Sequence, residues 1–500
     1  MKQSLRITVL AFSCVFIGQA GAGDPHAGHG GTADFGVHCA PAVRDDFDRA
    51  LTLLHHMTYP QARAGFRAIA AKDPKCAMAH WGVAMTLFQP LWPTRPDLED
   101  RRLGWEEIGK ARALGSPDAR ERGFIDAAAA FFENPEADDY WARIRRWADA
   151  SAKLHAAFPK DHDATAFDAL AILATTPQDR ATRENADQAA ALLQQVLRED
   201  PDHPGAMHYL VHADDVPGRE RESPDVVHRY EEVAPDNPHA LHMPTHVYTR
   251  QGDWAGVVRG NLRAADAALR YPAGDKGQYV WDEFPHAIEY LVYAYLQQGD
   301  VANAKKQRDR LLATQHLQPS FKTAFHLASV QARIPLETHD WAAAEKLQPR
   351  TPSWVEWDKY AWPEAIAQFA HGLGAAKTGR KEEALAAMTR LGELQRKMET
   401  AGESLFERNI HVLRLELESA IAQANGHSKE AIEKLEAAAT IEAATPKHAV
   451  TPGPTIPAQE MLGDLYTELG QRANAHAAYE RALAQYPRRR ASQQGAGKTG

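Results

Sequence analysis

The 500-residue sequence lacks long hydrophobic stretches, blocks of positive charge and abundant cysteine. Its main apolar stretch covers residues 7–17 and is shorter than the roughly 20 residues of a membrane-spanning helix, so we expect no transmembrane segment. The formal net charge is −9, and the longest run of basic residues is Arg488–Arg490. A net negative charge without a cluster of Lys and Arg side chains along one face argues against a nucleic-acid partner.

Several catalytic signatures are also absent. The sequence contains no nucleophile elbow, phosphate-binding loop, Rossmann glycine pattern, HExxH or CxxC motif. The enzyme classes that these motifs mark are therefore not indicated. At 25% charged and 44% hydrophobic residues, the composition is still that of a globular protein with a substantial core.

The beginning of the sequence has the pattern of a signal peptide. Lys2 and Arg6 precede the apolar stretch, and a run of small residues ends at Ala22, so residues 1–22 are predicted to be removed on export to the periplasm or beyond. The glycine-rich residues 23–40 are expected to form a flexible leader. In an oxidising compartment Cys39 and Cys76 are expected to form a disulfide, although two buried thiols are the alternative.

From residue 41 onward, apolar residues recur at helical spacing and no strand-rich block is visible, which predicts an all-α fold. Short glycine-containing turns divide the helices into pairs. The turn glycines Gly252 and Gly299 are 47 residues apart, as are Gly379 and Gly426, and Gly470 follows 44 residues later. A period of this size is typical of a helical-hairpin solenoid.

The segment 460–487, EMLGDLYTELGQRANAHAAYERALAQYP, resembles a tetratricopeptide repeat. The residues that carry this resemblance are Leu462, Gly463, Tyr466, Gly470, Ala478, Ala482 and Pro487. The segment 76–85 is similar to another first helix of such a repeat. A HALHMPTH segment, residues 239–246, also resembles a group of exported bacterial tetratricopeptide proteins that carry His-x-x-His-Met-Pro-x-His.

The resemblance covers about two-thirds of the chain and implies a superhelix whose concave groove holds a peptide or small molecule. Because the repeat spacing exceeds the usual length of about 34 residues, we expect a closed and decorated superhelix. An aromatic-rich stretch at 351–365 suggests a boundary between an N-terminal repeat block, 41–350, and a C-terminal tetratricopeptide-like block, 351–487. Residues 488–500 are expected to form a disordered tail.

Histidines are concentrated in one part of the sequence. Seven of the 24 lie between His203 and His246. His208 and His212 have the i, i+4 spacing that places two imidazoles on one helix face, and His242 and His246 repeat it, with His239 three residues earlier. Pro244 introduces an alternative, because a helix that begins there would leave His239 and His242 in the preceding turn.

First helices of successive repeats line the inner wall of such a superhelix, so these histidines are predicted to converge on one ion. Imidazole ligands favour Zn, Cu, Ni or Fe over Ca or Mg. The following repeat adds His286 as a further ligand, and Glu289 as a ligand, a partner for an imidazole N–H, or a general base toward metal-bound water. Arg250 and Arg333 are candidates for binding an anionic group, or are simply ion-paired.

The sequence thus predicts an exported helical-repeat protein that binds a transition metal, as a metal-dependent enzyme or a metal carrier. The predicted metal ligands are His208, His212, His239, His242, His246 and His286, and the predicted catalytic residue is Glu289. The alternative is a metal-free scaffold that captures a peptide or protein partner, with the histidines packed at repeat joints.

Overall fold

The computed structural model describes residues 33–92, 95–137, 139–274 and 276–500. The predicted signal peptide and the first part of the predicted leader lie outside these ranges. In the first half of the described chain the helices are α1 Arg44–His55, α2 Tyr59–Lys72, α3 Ala77–Phe88, α4 Leu98–Leu114, α5 Ala119–Phe132, α6 Tyr140–Ala157, α7 His162–Ala174, α8 Glu184–Glu199, α9 Pro204–Asp214, α10 Pro224–Val233, α11 Pro238–His242 and α12 Pro244–Gln251.

In the second half the helices are α13 Trp254–Ala268, α14 Glu283–Gln298, α15 Val301–Ala313, α16 Phe321–Glu337, α17 Trp341–Glu345, α18 Ala361–Lys377, α19 Lys381–Thr400, α20 Ser404–Ala424, α21 Ser428–Ala444, α22 Ala458–Glu468, α23 Arg472–Gln485 and α24 Arg490–Thr499. Two short 3-10 helices cover Pro41–Val43 and Trp357–Lys359. Strand pairing among the described residues is limited to two antiparallel strands, β1 Pro272–Ala273 and β2 Tyr279–Val280, and a bridge from Val280 to Leu317. No helix in the described ranges is both long and apolar enough to cross a membrane.

The predicted turn glycines end helices. Gly252, Gly299, Gly379, Gly426 and Gly470 all have φ between 69° and 82°, in the left-handed region that closes a helix at its C-terminus and that glycine adopts without steric cost. Neighbouring helices in the chain then pack on each other, as α13 does on α14 and α20 on α21. The fold is the predicted all-α stack of helical hairpins.

The segment 460–487 forms the hairpin of α22 and α23. At the closest approach of the two helices, a Cβ added to Gly463 would lie 2.6 Å from the ring of Tyr479. The small residue predicted at this place is therefore required by close packing. The hydrophobic core continues through α22 and α23 into α24, where Ala496 packs in the same cluster as Tyr479.

The predicted boundary at residue 350 does not divide the core. Buried side chains from Leu241 to Ile456 form one continuous cluster. Within it, Phe325 of α16 and Trp362 of α18 have ring centroids 4.8 Å apart. The aromatic residues of the 351–365 stretch are therefore partly a joint inside one core, and the separation into blocks 41–350 and 351–487 is not seen.

The predicted disordered tail is wrong. Residues Arg490–Thr499 form α24, and the Arg489 side chain is fully buried. Its guanidinium group binds the carboxylate of Glu460 through two hydrogen bonds of 2.7 and 2.8 Å, and that of Glu337 at 2.8 Å. The run of arginines resembles a solvated tail in the sequence because its acidic partners lie far away along the chain.

The second part of the predicted flexible leader is also ordered. Ala33, Phe35 and Val37 are buried, and the Phe35 ring packs on Phe47 and Phe124 with centroids 5.4 and 5.1 Å away. These apolar residues alternate with exposed ones, so one side of an extended segment reaches the core. The Cys39–Cys76 disulfide that follows is confirmed, with Cα atoms 4.9 Å apart.

Candidate metal centre

The predicted histidines lie on three helical regions that meet in the interior. His208 and His212 lie on α9, His239 and His242 on α11, His246 on α12 and His286 on α14. All six are buried except His212, which is partly exposed. They form two groups of three, so the prediction of convergence on a single point is replaced by two adjacent sets of imidazoles.

Helix α9 places two imidazoles one turn apart, as predicted. It begins at Pro204, and the side chain of His203 accepts a hydrogen bond from the N–H of Ala206 at this end. The rings of His208 and His212 have centroids 4.9 Å apart. The i, i+4 spacing has therefore produced the expected pair.

Pro244 separates α11 from α12 without breaking the second pair. A helix does begin at Pro244, but Met243 before it keeps helical angles of φ −55° and ψ −43°. The hydroxyl of Thr245 donates a 2.6 Å hydrogen bond to the carbonyl of His242, near the point where proline has no N–H to donate. The rings of His242 and His246 consequently remain 4.8 Å apart, centroid to centroid.

His208, His212 and His239 make up the first triplet. One ring nitrogen of each lies within 4.8 Å of the other two. The Nε2 atoms of all three are buried and have no hydrogen-bond partner among the described residues. Three unpartnered nitrogen atoms so close together are unusual, since buried polar atoms normally have a partner.

The Nδ1 atoms of His208 and His239 indicate which nitrogen of each neutral ring carries the hydrogen. Nδ1 of His208 lies 2.6 Å from the backbone carbonyl of His55, and Nδ1 of His239 lies 3.0 Å from a carboxylate oxygen of Glu283. Both partners can only accept, so each Nδ1 carries the hydrogen and each neutral ring keeps a lone pair on Nε2. Metal-binding histidines are typically oriented by this kind of contact.

Burial sets the charge of these rings. It lowers the pKa of His208 and of His212 well below the usual 6.5, and the neighbouring imidazoles lower both values further. The rings of His208 and His212 are therefore neutral near pH 7. Neutral imidazole is the form that binds a metal ion.

The second triplet consists of His242, His246 and His286, again with one nitrogen of each within 4.8 Å of the others. The Nε2 atoms of His242 and His246 are 2.8 Å apart. The ring centroids of His242 and His286 are 4.2 Å apart, which is closer than the 4.8 Å between those of His242 and His246. Burial lowers the pKa of His242 and His286 well below 6.5, and that of His246 below it.

Glu289 does not face either triplet directly. Its carboxylate accepts hydrogen bonds from Nδ1 of His326 at 2.5 Å, the hydroxyl of Ser329 at 2.6 Å and Nε of Arg333 at 2.9 Å. His326 in turn contacts Nδ1 of His286 through Nε2, at 3.0 Å. Of the three roles predicted for Glu289, the one that fits is partner of an imidazole N–H, because its oxygens are already engaged.

Sequence reasoning missed His326 and two carboxylates. Asp215 contacts Nδ1 of His246 at 2.8 Å, and Glu283 contacts His239. Asp215 lies three residues after His212 in HADD, and an acidic residue so close to the α9 histidines was a usable signal. Lys322 and His326 lie four residues apart in FKTAFH. The single histidine His326 on α16 was not a usable signal.

Each of these carboxylates is also paired with a cation. Asp215 binds Nε of Arg250 at 2.6 Å and Nζ of Lys447 at 3.0 Å, and Glu283 binds Lys322. Cationic neighbours hold the pKa of Asp215 and of Glu283 well below their usual values despite burial, which alone would raise them. Arg250 and Arg333 are therefore ion-paired, which is the second of the two alternatives given for them.

The two triplets share a small cavity of about 30 Å³, here called the histidine chamber. Its wall includes His212 and His239 of the first triplet and His246 and His286 of the second. A space of this size holds one or two water molecules or ions.

Part of the chamber wall comes from the connecting segment 445–457, between α21 and α22. Ala449 and Val450 of this segment line the chamber. Its Thr451 carbonyl accepts a 3.2 Å hydrogen bond from the hydroxyl of Tyr290, and its Lys447 is the partner of Asp215. The chamber is thus completed by a part of the chain remote in sequence from the histidines.

A much larger cavity of about 610 Å³ adjoins the chamber, and His212 lies on the wall of both. Aromatic side chains, including Trp92, Trp362 and Phe406, line this cavity together with charged groups near His212. A cavity of this volume with a few polar groups is typical of a small-molecule site.

Comparisons with known proteins give only distant likenesses. No family model matches the chain, and no curated protein matches it. A structure of the human IFIT1 dimer with m7Gppp-AAAA matches with a TM-score of 0.38 and 13% identity, covering 81% of this chain and 89% of that chain. A structure of the APC/C hetero-tetramer Cut9-Hcn1 matches with a TM-score of 0.36 and 9% identity, covering 91% and 89%. Similarity at this level carries no argument about what this chain binds.

Proposed function

We propose that this protein is an exported helical-repeat protein that binds a transition metal ion through His208, His212 and His239. The observation that carries the proposal is the set of three buried Nε2 atoms without hydrogen-bond partners. The resemblance of residues 239–246 to exported tetratricopeptide proteins supports the export and helical-repeat parts of the proposal, and the metal site rests on the histidine geometry alone.

A metal ion explains the first triplet better than packing does. A buried polar atom without a partner costs about 1 to 3 kcal/mol, and here three such atoms lie side by side. One ion with metal–nitrogen bonds of about 2.0 to 2.1 Å provides a partner for all three. Neutral imidazoles select Zn, Cu, Ni or Fe over the oxygen-preferring Ca and Mg.

The surroundings favour an ion that acts on a bound molecule over a purely structural one. Three protein ligands leave a coordination position open, which is typical of catalytic and not of structural zinc sites. His212 borders the 610 Å³ cavity, so a small molecule bound there lies beside the ion. An enzyme is accordingly favoured over a carrier that must enclose and then release its metal.

Elemental analysis of the purified protein tests this proposal. We expect at least one equivalent of Zn, Cu, Ni or Fe per chain, one equivalent fewer in the double variant His208→Ala, His239→Ala, and no loss in the control His427→Ala, whose side chain is exposed. Chelation is expected to lower the melting temperature of the wild type, because an ion that binds only the folded state stabilises it. Metal-free protein whose melting does not respond to added metal would instead support the alternative, a scaffold with a peptide or protein partner.

Export is tested separately by cell fractionation and N-terminal sequencing. We expect a periplasmic or secreted chain that has lost about the first 22 residues, as the charged, apolar and small-residue regions predict. A full-length cytoplasmic chain would contradict this part of the proposal. The metal site does not depend on it.

A further inference from the structure

The protonation of the second triplet follows from the partners of its Nδ1 atoms. Nδ1 of His242 lies 2.6 Å from Oδ1 of Asn261. The amide nitrogen of Asn261 donates to the Thr245 hydroxyl and to the Val257 carbonyl, which fixes the orientation of the amide. Oδ1 is therefore the acceptor, and His242 carries its hydrogen on Nδ1.

His246 has the same arrangement. Its Nδ1 lies 2.8 Å from a carboxylate oxygen of Asp215, which only accepts. In the neutral rings, the Nε2 atoms of His242 and His246 both hold lone pairs, although they are only 2.8 Å apart. Two lone pairs at this distance repel each other unless a positive charge lies beside them.

The position of the hydrogen on the His286 ring follows from a longer series of contacts. The carboxylate of Glu289 accepts the hydrogen on Nδ1 of His326, so in the neutral ring Nε2 of His326 is an acceptor. That atom lies 3.0 Å from Nδ1 of His286, which must then be the donor. His286 is left with its own lone pair on Nε2, and its ring lines the histidine chamber.

We propose that the second triplet binds a second transition metal ion, so that the histidine chamber holds a two-ion centre. This inference rests on the proposed function for the first ion but uses different ligands: Nε2 of His242, His246 and His286. A shared proton would provide a partner for the His242–His246 pair alone. A metal ion provides one for all three nitrogens.

The two ions would be neighbours. The rings of His239 and His242, one from each triplet, have centroids 6.4 Å apart, and four of the six histidines line the same chamber. Two ions acting together on one bound group are typical of metal-assisted hydrolysis and related reactions.

The charge balance indicates what such a centre would attract. Imidazoles bind a metal ion as neutral rings, so the six ligands would add no charge, and the nearby carboxylates Asp215, Glu283 and Glu289 are already paired with lysine or arginine. Two divalent ions would therefore give the chamber a net positive charge. An anionic ligand such as hydroxide, or an acidic group of a molecule in the large cavity, would complete the coordination.

Cobalt titration of the metal-free protein tests the second site. After removal of metal by a chelator, equilibrium dialysis against Co²⁺ is expected to give two equivalents per chain. The double variant His242→Ala, His286→Ala and the double variant His208→Ala, His239→Ala should each retain one equivalent, and the exposed control His427→Ala should retain two. Circular dichroism establishes that each variant is folded.

The possible outcomes separate the two proposals. One equivalent in the wild type, unchanged in the His242→Ala, His286→Ala variant, would overturn the second site and leave the proposed function intact, whereas no bound metal would overturn both. Copper loading adds a measurement on the wild type alone. Two Cu²⁺ ions in one chamber should give an electron paramagnetic resonance spectrum broadened or silenced by coupling, and a sharp spectrum from two isolated ions would overturn the shared chamber.

Discussion

Oε2 of Glu289 lies 2.5 Å from Nδ1 of His326, and this contact determines which nitrogen of His326 carries the hydrogen. The orientation passes through His326 to His286, whose Nε2 is then free to bind an ion. Glu289 is thus a positioning residue that acts on the second triplet from outside it.

The variant Glu289→Gln is expected to weaken the second ion selectively. The amide oxygen should keep the hydrogen bond from Arg333, so the amide N–H₂ would donate to Nδ1 of His326. His326 would then carry its hydrogen on Nε2 and donate it to Nδ1 of His286. His286 would then carry its hydrogen on Nε2 and lose its lone pair there. Loss of such a contact typically lowers metal affinity by about 10- to 100-fold. Calorimetric titration checks this, with the first ion as the internal control; an equal loss at both sites would contradict it.

The stability of the metal-free protein should depend on the buried histidines as the pH falls. Burial lowers the pKa of His242 well below 6.5, so below that pH the unfolded chain binds a proton that the folded chain does not. The unfolding free energy therefore decreases as the pH falls from 7.5 to 5.5, by about 1 kcal/mol for one such residue. Glu442 acts in the opposite direction, because burial raises its pKa to about 7.

Comparison of two proteins separates these contributions. The variant His242→Gln should lose about 1 kcal/mol less than the wild type between pH 7.5 and pH 5.5. Urea unfolding in the presence of a chelator at both pH values measures this difference. The exposed variant His427→Ala should behave as the wild type, and parallel pH profiles for all three proteins would count against a neutral buried His242.

Reduction of the Cys39–Cys76 disulfide should destabilise the N-terminal region. The bond joins residues 37 positions apart, and closure of such a loop stabilises a folded chain by up to about 4 kcal/mol through the entropy of the unfolded state. Thermal unfolding with and without a reductant measures the effect. The double variant Cys39→Ser, Cys76→Ser should have a lowered melting temperature both with and without the reductant. A wild type whose melting temperature does not change with reductant would argue against the disulfide.

Replacement of Arg489 by alanine should lower the free energy of unfolding far more than the same replacement of the adjacent Arg488. Arg489 is buried between Glu337 and Glu460, and removal of one partner of a buried ion pair typically costs about 3 to 5 kcal/mol. Arg489→Ala is therefore expected to unfold at much lower urea concentration than the wild type. Arg488→Ala, at an exposed position, is the matched control; equal midpoints for the two variants would show that the buried pair contributes little.

Local patterns were enough to predict the helical hairpins and the histidine pairs. Glycine turns and the i, i+4 spacing depend on residues within a few positions of each other, and both appear in the structure as expected. The disulfide was predicted from the number of cysteines and the expected compartment. None of these inferences required knowledge of the contacts between distant helices.

The parts that could not be predicted depend on contacts between distant residues. The pairing of Arg489 with Glu337 spans 152 positions, and the contact of His326 with Glu289 spans 37. The division of six histidines into two triplets depends on how α11 is oriented relative to α9 and α14. The spacing of residues along one helix does not define this orientation. Burial of Phe35 likewise follows from the position of α5, far along the chain.

The connecting segment 445–457 has a consequence for the order in which the histidine chamber is completed during synthesis. All the histidines of both triplets belong to residues 208–286, so a ribosome completes them well before it adds Lys447, Ala449 and Val450. A nascent chain of about 400 residues would carry the ligands without this wall. The histidine chamber can therefore close only when this late segment docks against the helices that carry the histidines.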